Sequence, residues 1–104
     1  MTFEIVASGT FIKQIENLKP KFKKQIGKKI DLIKKNPFRF KAVHSKLYSR
    51  VFRIRLSIEG NETRLIYVVL GSKVVLACLL DRNNEYKDLE DYLSKFYDQY
   101  ALPT

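Results

Sequence analysis

Cysteine occurs once in this sequence, as Cys78, and histidine once, as His44. A single cysteine excludes an internal disulfide, and without a CxxC or HExxH spacing a zinc site made from protein ligands has no support. Neither GxGxxG nor GxxxxGK[ST] is present, so the phosphate-cradling loops of nucleotide-binding folds are missing too. No apolar run reaches the roughly eighteen residues a membrane span needs, and the run at 74–80 is of strand length. The opening MTFEIVASGTFIKQ lacks the basic start and sustained apolar stretch of a signal peptide. A soluble, cytoplasmic protein with no metal and no small-molecule cofactor is therefore expected.

Acidic residues are also few. Eleven Asp and Glu stand against twenty Lys and Arg, a net charge of +9. The excess is uneven: residues 1–46 carry +9, residues 47–86 carry +2 and residues 87–104 carry −2. A polycationic segment on a small body favours polyanions such as nucleic acid, an anionic membrane surface or an acidic protein. The plainer interpretation of the same lysines is a solvated helix face. With 45% hydrophobic residues in 104, the chain suffices for one modest core, hence a single domain over 1–104.

What is present most clearly is a strand pattern, in LYSRVFRIRLSIEGNETRLIYVVLGSKVVLACLLDR at 47–82. Phe52, Ile54, Leu56 and Ile58 fall on one parity while Arg53, Arg55 and Ser57 fall on the other, the period of a half-buried strand. Glu59-Gly60-Asn61-Glu62 supplies turn chemistry before a second run at 63–70, and Gly71-Ser72 is a two-residue hairpin signal before a third at 73–80. Three antiparallel neighbours are predicted.

A short strand at 2–7 precedes the meander, followed by a helix capped by Ser8 or Thr10 with Phe11, Ile15 and Leu18 on one side. Pro20 fits the first turn of a second helix, in which Phe22, Ile26, Ile30 and Ile33 follow helical spacing and Lys23, Lys24, Lys28, Lys29, Lys34 and Lys35 fill the rest. Asn36-Pro37 ends it, and FRFKAVHSK at 38–46 reads as a loop. After the meander, Asn83 or Asn84 can cap a last helix at about 85–97, where Leu89, Tyr92, Leu93 and Phe96 share a face. The order β-α-α-β-β-β-α predicts a small α+β domain, with a twisted antiparallel sheet packed against an N-terminal helical hairpin.

Arginines are the main functional clue. Guanidinium groups bind phosphate oxygens with fixed bidentate geometry and stay charged at physiological pH. Arg50, Arg53 and Arg55 cluster at the first meander strand, Arg64 opens the second and Arg82 ends the third, so folding can gather them on one surface. Their bland role is to keep a sheet face soluble. Tyr86 either packs, stacks on a base or holds its hydroxyl near a phosphate. His44 is an acid–base candidate because histidine titrates near neutrality, although a lone loop histidine is usually incidental. Cys78, in an apolar strand, reads as core, and Asp81 beside Arg82 as a cap or ion-pair partner.

Together these features resemble the RelE/ParE superfamily, the toxins of type II toxin–antitoxin modules, over nearly the whole chain. The resemblance is carried by the element order, the helix ending at KKNP, the strand YSRVFRIRL, the following TRLIYVV and the last strand leading into DRNNEY. It favours the RelE branch. Position by position it implies catalytic roles for Arg53, Arg55, Arg64, Arg82 and Tyr86, and RNA binding by Lys46 and Arg50.

The activity so implied is that of a metal-independent endoribonuclease, an mRNA interferase that inhibits translation by cutting mRNA in the ribosomal A site. The ribose 2′-hydroxyl would attack the adjacent phosphate, leaving a 2′,3′-cyclic phosphate and a 5′-hydroxyl end. Implied partners are an acidic antitoxin protein, the ribosome and mRNA, with no membrane. RelE-like enzymes often carry lysine on the first meander strand. Both positions here are arginine, a poor proton acceptor, and Asp81 stands where many relatives have a basic residue or histidine. Tyr86 and His44 are then the titrating groups at hand. The competing expectation is a ParE-like toxin without nuclease activity, or an inactive relic, acting by binding DNA gyrase or an antitoxin.

Overall fold

A computed structural model describes residues 3–81 and 89–100. Five strands, β1 (Glu4–Ala7), β2 (Lys41–Val43), β3 (Val51–Ile58), β4 (Asn61–Leu70) and β5 (Lys73–Asp81), form one sheet in the order β1-β5-β4-β3-β2. Helices α1 (Gly9–Glu16) and α2 (Pro20–Lys35) separate β1 from β2, and α3 (Leu89–Tyr100) follows β5. The expected order is present, with one further short strand, β2, inside the segment read as a loop. The meander β3-β4-β5 is antiparallel, whereas β1 lies parallel to β5, so the sheet is mixed. None of the described helices is long and apolar enough to cross a membrane.

Local chemistry explains the turns. Glu59 (φ 52°) and Gly60 (φ 80°) are both left-handed, the requirement of a two-residue hairpin whose twist matches its strands. Ile58 and Asn61 pair across that turn, so Asn61 and Glu62 already belong to β4. Gly71 (φ 60°) closes the second hairpin, where Leu70 pairs with Lys73.

Ser8 begins α1 and ties it to the sheet. Its Oγ accepts from the Phe11 N–H at 3.0 Å and donates to the Ala77 carbonyl of β5 at 2.6 Å. Where β1 stops pairing, Gln14 takes over: its amide donates to the Leu79 carbonyl at 3.0 Å and accepts from the Leu79 N–H at 2.7 Å. The edge of β5 is thereby satisfied without another strand.

Two apolar layers sandwich the sheet. On the side of α1 and α2, Phe11, Phe22, Ile26 and Ile33 meet Phe52, Ile54, Leu56, Leu65, Tyr67 and Val69. The ring of Tyr67 stacks on Phe52, and its hydroxyl donates to the Pro37 carbonyl, pinning the chain just before β2. On the other side, Leu89 and Leu93 of α3 pack with Tyr48, Val51, Ile66, Val68, Val75, Cys78 and Leu80. Each fully buried aliphatic side chain contributes about 1.5–3 kcal/mol. Because β4 and β5 are covered on both faces, their sequences are almost continuously apolar rather than alternating.

A bulge interrupts the β4–β5 ladder: Ile66 opposes Cys78 and Tyr67 opposes Leu76, leaving Ala77 as the extra residue. It shifts parity along β5. Val75 before it, Ala77 within it, and Cys78 and Leu80 after it all face the α3 side. The start of α3 is fastened to the loop after β2, since the Glu90 carboxylate accepts from the Lys46 N–H at 3.0 Å and from the Ser45 hydroxyl at 3.4 Å. The proposed cap at Asn83 or Asn84, the helix start at Glu85 and the side chain of Phe96 lie outside the described residues.

Candidate functional site

Arg53 and Arg55 project from the face of β3 turned away from α1 and α2, because Phe52, Ile54 and Leu56 between and around them fill the helix-side core. Arg64 opens β4 and pairs directly with Arg55 across the ladder. On the other flank of β3, Arg53 pairs directly with Lys41 of β2. Residues opposite one another in an antiparallel ladder share a face, so Lys41, Arg53, Arg55 and Arg64 form a cationic row across three strands.

Directly opposed like charges weaken a sheet pair, and this sheet holds two such pairs in succession. Partial relief comes from Glu62, whose Oε1 lies 3.6 Å from Nε of Arg55. That ion pair is largely solvated, with the Arg55 side chain 61% exposed. Arg53 differs sharply, being only 8% exposed.

Two open clefts border the row. One, of about 480 Å³, lies at the β3–β4 turn and is lined by Arg55, Ser57, Asn61, Glu62 and Asp81 among others. Asp81 pairs with Thr63, next to Arg64, so the chain leaves β5 at this end of the row. The second, of about 320 Å³, is lined by Lys41, Ala42, Val43, His44 and Arg53.

The sequence-predicted residues therefore separate into groups. Arg53, Arg55 and Arg64 come together on one face. Arg50 sits elsewhere: its guanidinium lies 5.5 Å from the ring of Phe38, which itself packs edge-on against Phe52 of the helix-side layer. Lys46 is exposed on the loop held by Glu90. Arg82 and Tyr86 lie outside the described residues. Sequence reasoning missed Lys41, because β2 has three residues, too few to show a period. It also missed Glu62, which read as part of a turn.

Burial shifts the titration of two core groups. Cys78 is fully buried, and desolvation pushes its thiol up to about 12. Burial likewise raises the Tyr67 hydroxyl well above its ordinary range. Cys78 is thus a core residue, as its apolar neighbours indicated. Among the described residues, no three His, Cys, Asp or Glu side chains gather as metal ligands.

No family model matches the chain, and no curated protein matches it in sequence. Among solved structures, a double arginine-to-alanine mutant of the Escherichia coli toxin RelE in the free state superposes with a TM-score of 0.66, covering 85% of this chain and 93% of that one. Identity is 19%, so the likeness is one of fold. The chain has a RelE-like α+β fold.

Proposed function

We propose that this chain is the toxin of a type II toxin–antitoxin pair and acts as a ribosome-dependent mRNA endoribonuclease. The observation that carries the proposal is the cross-strand pair Arg55–Arg64 with Arg53 beside it, on a sheet face that α1 and α2 leave uncovered. Opposed guanidinium groups repel one another, and a polyanion bound between them turns that repulsion into attraction. The RelE-like fold is consistent with the same reading.

In the reaction, the ribose 2′-oxygen bonds to the adjacent phosphorus as the bond to the 5′ oxygen breaks. The hydroxyl gives up its proton and the departing oxygen takes one up. Arg55 and Arg64 stabilise the negative charge that builds on the non-bridging oxygens, with Arg53 and Arg82 supporting them. Guanidinium does not exchange protons at physiological pH, so proton transfer falls to Tyr86. Lys46 contacts RNA further along its backbone. An acidic antitoxin covers the cationic row when the toxin is silent, and the pair works in the cytoplasm.

A non-nucleolytic, ParE-like activity through binding DNA gyrase, or a relic that binds only its antitoxin, is the second reading. It is favoured by the arginines at both strand positions, 53 and 55, which leave β3 without a proton acceptor. Alanine substitution at Arg64 and Arg82 separates the two: the nuclease reading requires toxicity to vanish while the circular dichroism of the folded protein is retained. Toxicity that survives both changes supports protein binding instead.

A further inference from the structure

Apart from Arg53, the residues of the cleft between β2 and β3 take no part in the cleavage step, yet the cleft continues the cationic row. Lys41 stands directly opposite Arg53 in the ladder, and His44 completes a rim around Ala42 and Val43. A lysine on an edge strand blunts unwanted strand pairing on its own. Edge protection does not require a second cation held directly across from it, where it adds repulsion. Arg53 is moreover among the least exposed charged side chains described, at 8%.

We infer that Lys41, His44 and Arg53 form a second phosphodiester subsite, which holds the backbone of single-stranded RNA one step along from the phosphate at Arg55 and Arg64. Lys41 supplies a point charge, Arg53 its planar fork and His44 a ring N–H, while Ala42 and Val43 give the sugar an apolar wall. The strand is positioned for this by its anchors. The Tyr67 hydroxyl holds Pro37 before β2, and Glu90 holds Ser45 and Lys46 after it. The inference rests on the arginine face being an RNA site, but binding is measured without cleavage.

The probe is a short single-stranded RNA carrying 2′-O-methyl riboses, which cannot undergo attack by the 2′-oxygen. Fluorescence anisotropy across a salt series gives its affinity for the full chain and for Lys41→Gln, Lys41→Arg and, as a control on α2, Lys24→Gln. Lys41→Gln is expected to weaken binding several-fold and to lower the slope of log affinity against log salt by about 0.7, the value for one phosphate contact on a single strand. Lys41→Arg retains both, and Lys24→Gln changes neither. Backbone amide shifts of residues 41–44 should saturate with the same isotherm.

Equal effects of Lys41→Gln and Lys24→Gln would overturn the subsite in favour of diffuse attraction. So would an unchanged slope in Lys41→Gln while Arg64→Ala still weakens binding, a result that leaves the arginine face standing as the RNA site. If the unmodified chain binds no RNA at low salt but an acidic polypeptide protects residues 41–44, subsite and RNA reading fall together.

Discussion

Arg55 on β3 and Arg64 on β4 are direct cross-strand partners, and the carboxylate of Glu62, one pair further along the same face, lies 3.6 Å from Arg55. A like-charged pair in this position is destabilising relative to neutral partners. A bound polyanion would relieve that repulsion.

Glu62 tests this. Replacing it with Gln removes the counter-charge while keeping shape. Because the pair is well exposed, stability should fall by less than about 1 kcal/mol in urea denaturation. Affinity of the 2′-O-methyl RNA should rise several-fold at low salt, since Arg55 then meets the phosphate without competition. Unchanged or weaker binding would show that Arg55 takes no part.

Gln14 is expected to matter to folding and not to chemistry. Its side-chain amide satisfies both the N–H and the carbonyl of Leu79. Gln14→Ala strands both groups in a partly buried edge, at a cost of about 1–3 kcal/mol per group left unsatisfied. Gln14→Glu keeps the acceptor and loses the donor, so its denaturation midpoint should fall between wild type and the alanine variant. RNA binding should be unaltered in each variant at temperatures where it is folded.

Cys78 and Tyr67 fix the alkaline limit of stability. The thiol ionises at 9.0 when unperturbed and at about 12 when buried, so the folded state holds this proton more tightly than the unfolded chain does. Its contribution is fully present below pH 9 and is lost progressively as pH rises towards 12. Tyr67, also raised by burial, adds a second loss above its ordinary 10.0. The urea midpoint should begin to drop near pH 9 in the wild type and about one unit later in Cys78→Ala. A thiol reagent at pH 8 should label Cys78 only after unfolding.

Much of the fold is legible in single residues with a mechanism. Ser8 caps α1, Pro20 opens α2, Asn36 ends it, and Gly71 closes the β4–β5 hairpin. The alternation in β3 sets Arg53 and Arg55 on the face opposite Phe52, Ile54 and Leu56, where Arg53 is buried and Arg55 exposed. Other features depend on contacts far apart in sequence. That β1 pairs in parallel with β5 cannot be read from four residues whose partner lies near the other end of the chain. Ala77 looks like any strand residue until the register on β4 exposes the bulge, and β2 takes its identity from the edge of β3 rather than from its own three residues. Lys41 was hidden for that reason. Arg50, by contrast, is close to Arg53 and Arg55 in sequence, but its parity turns it towards Phe38 on the other side of the sheet.

The most direct test of the central claim is induced expression followed by mapping of mRNA 5′ ends, with an Arg64→Ala/Arg82→Ala double mutant alongside. Growth arrest is expected together with new cuts inside translated messages, in frame with their codons, and both are lost in the mutant. Growth arrest without such cuts, or cuts that persist in the folded double mutant, would contradict it.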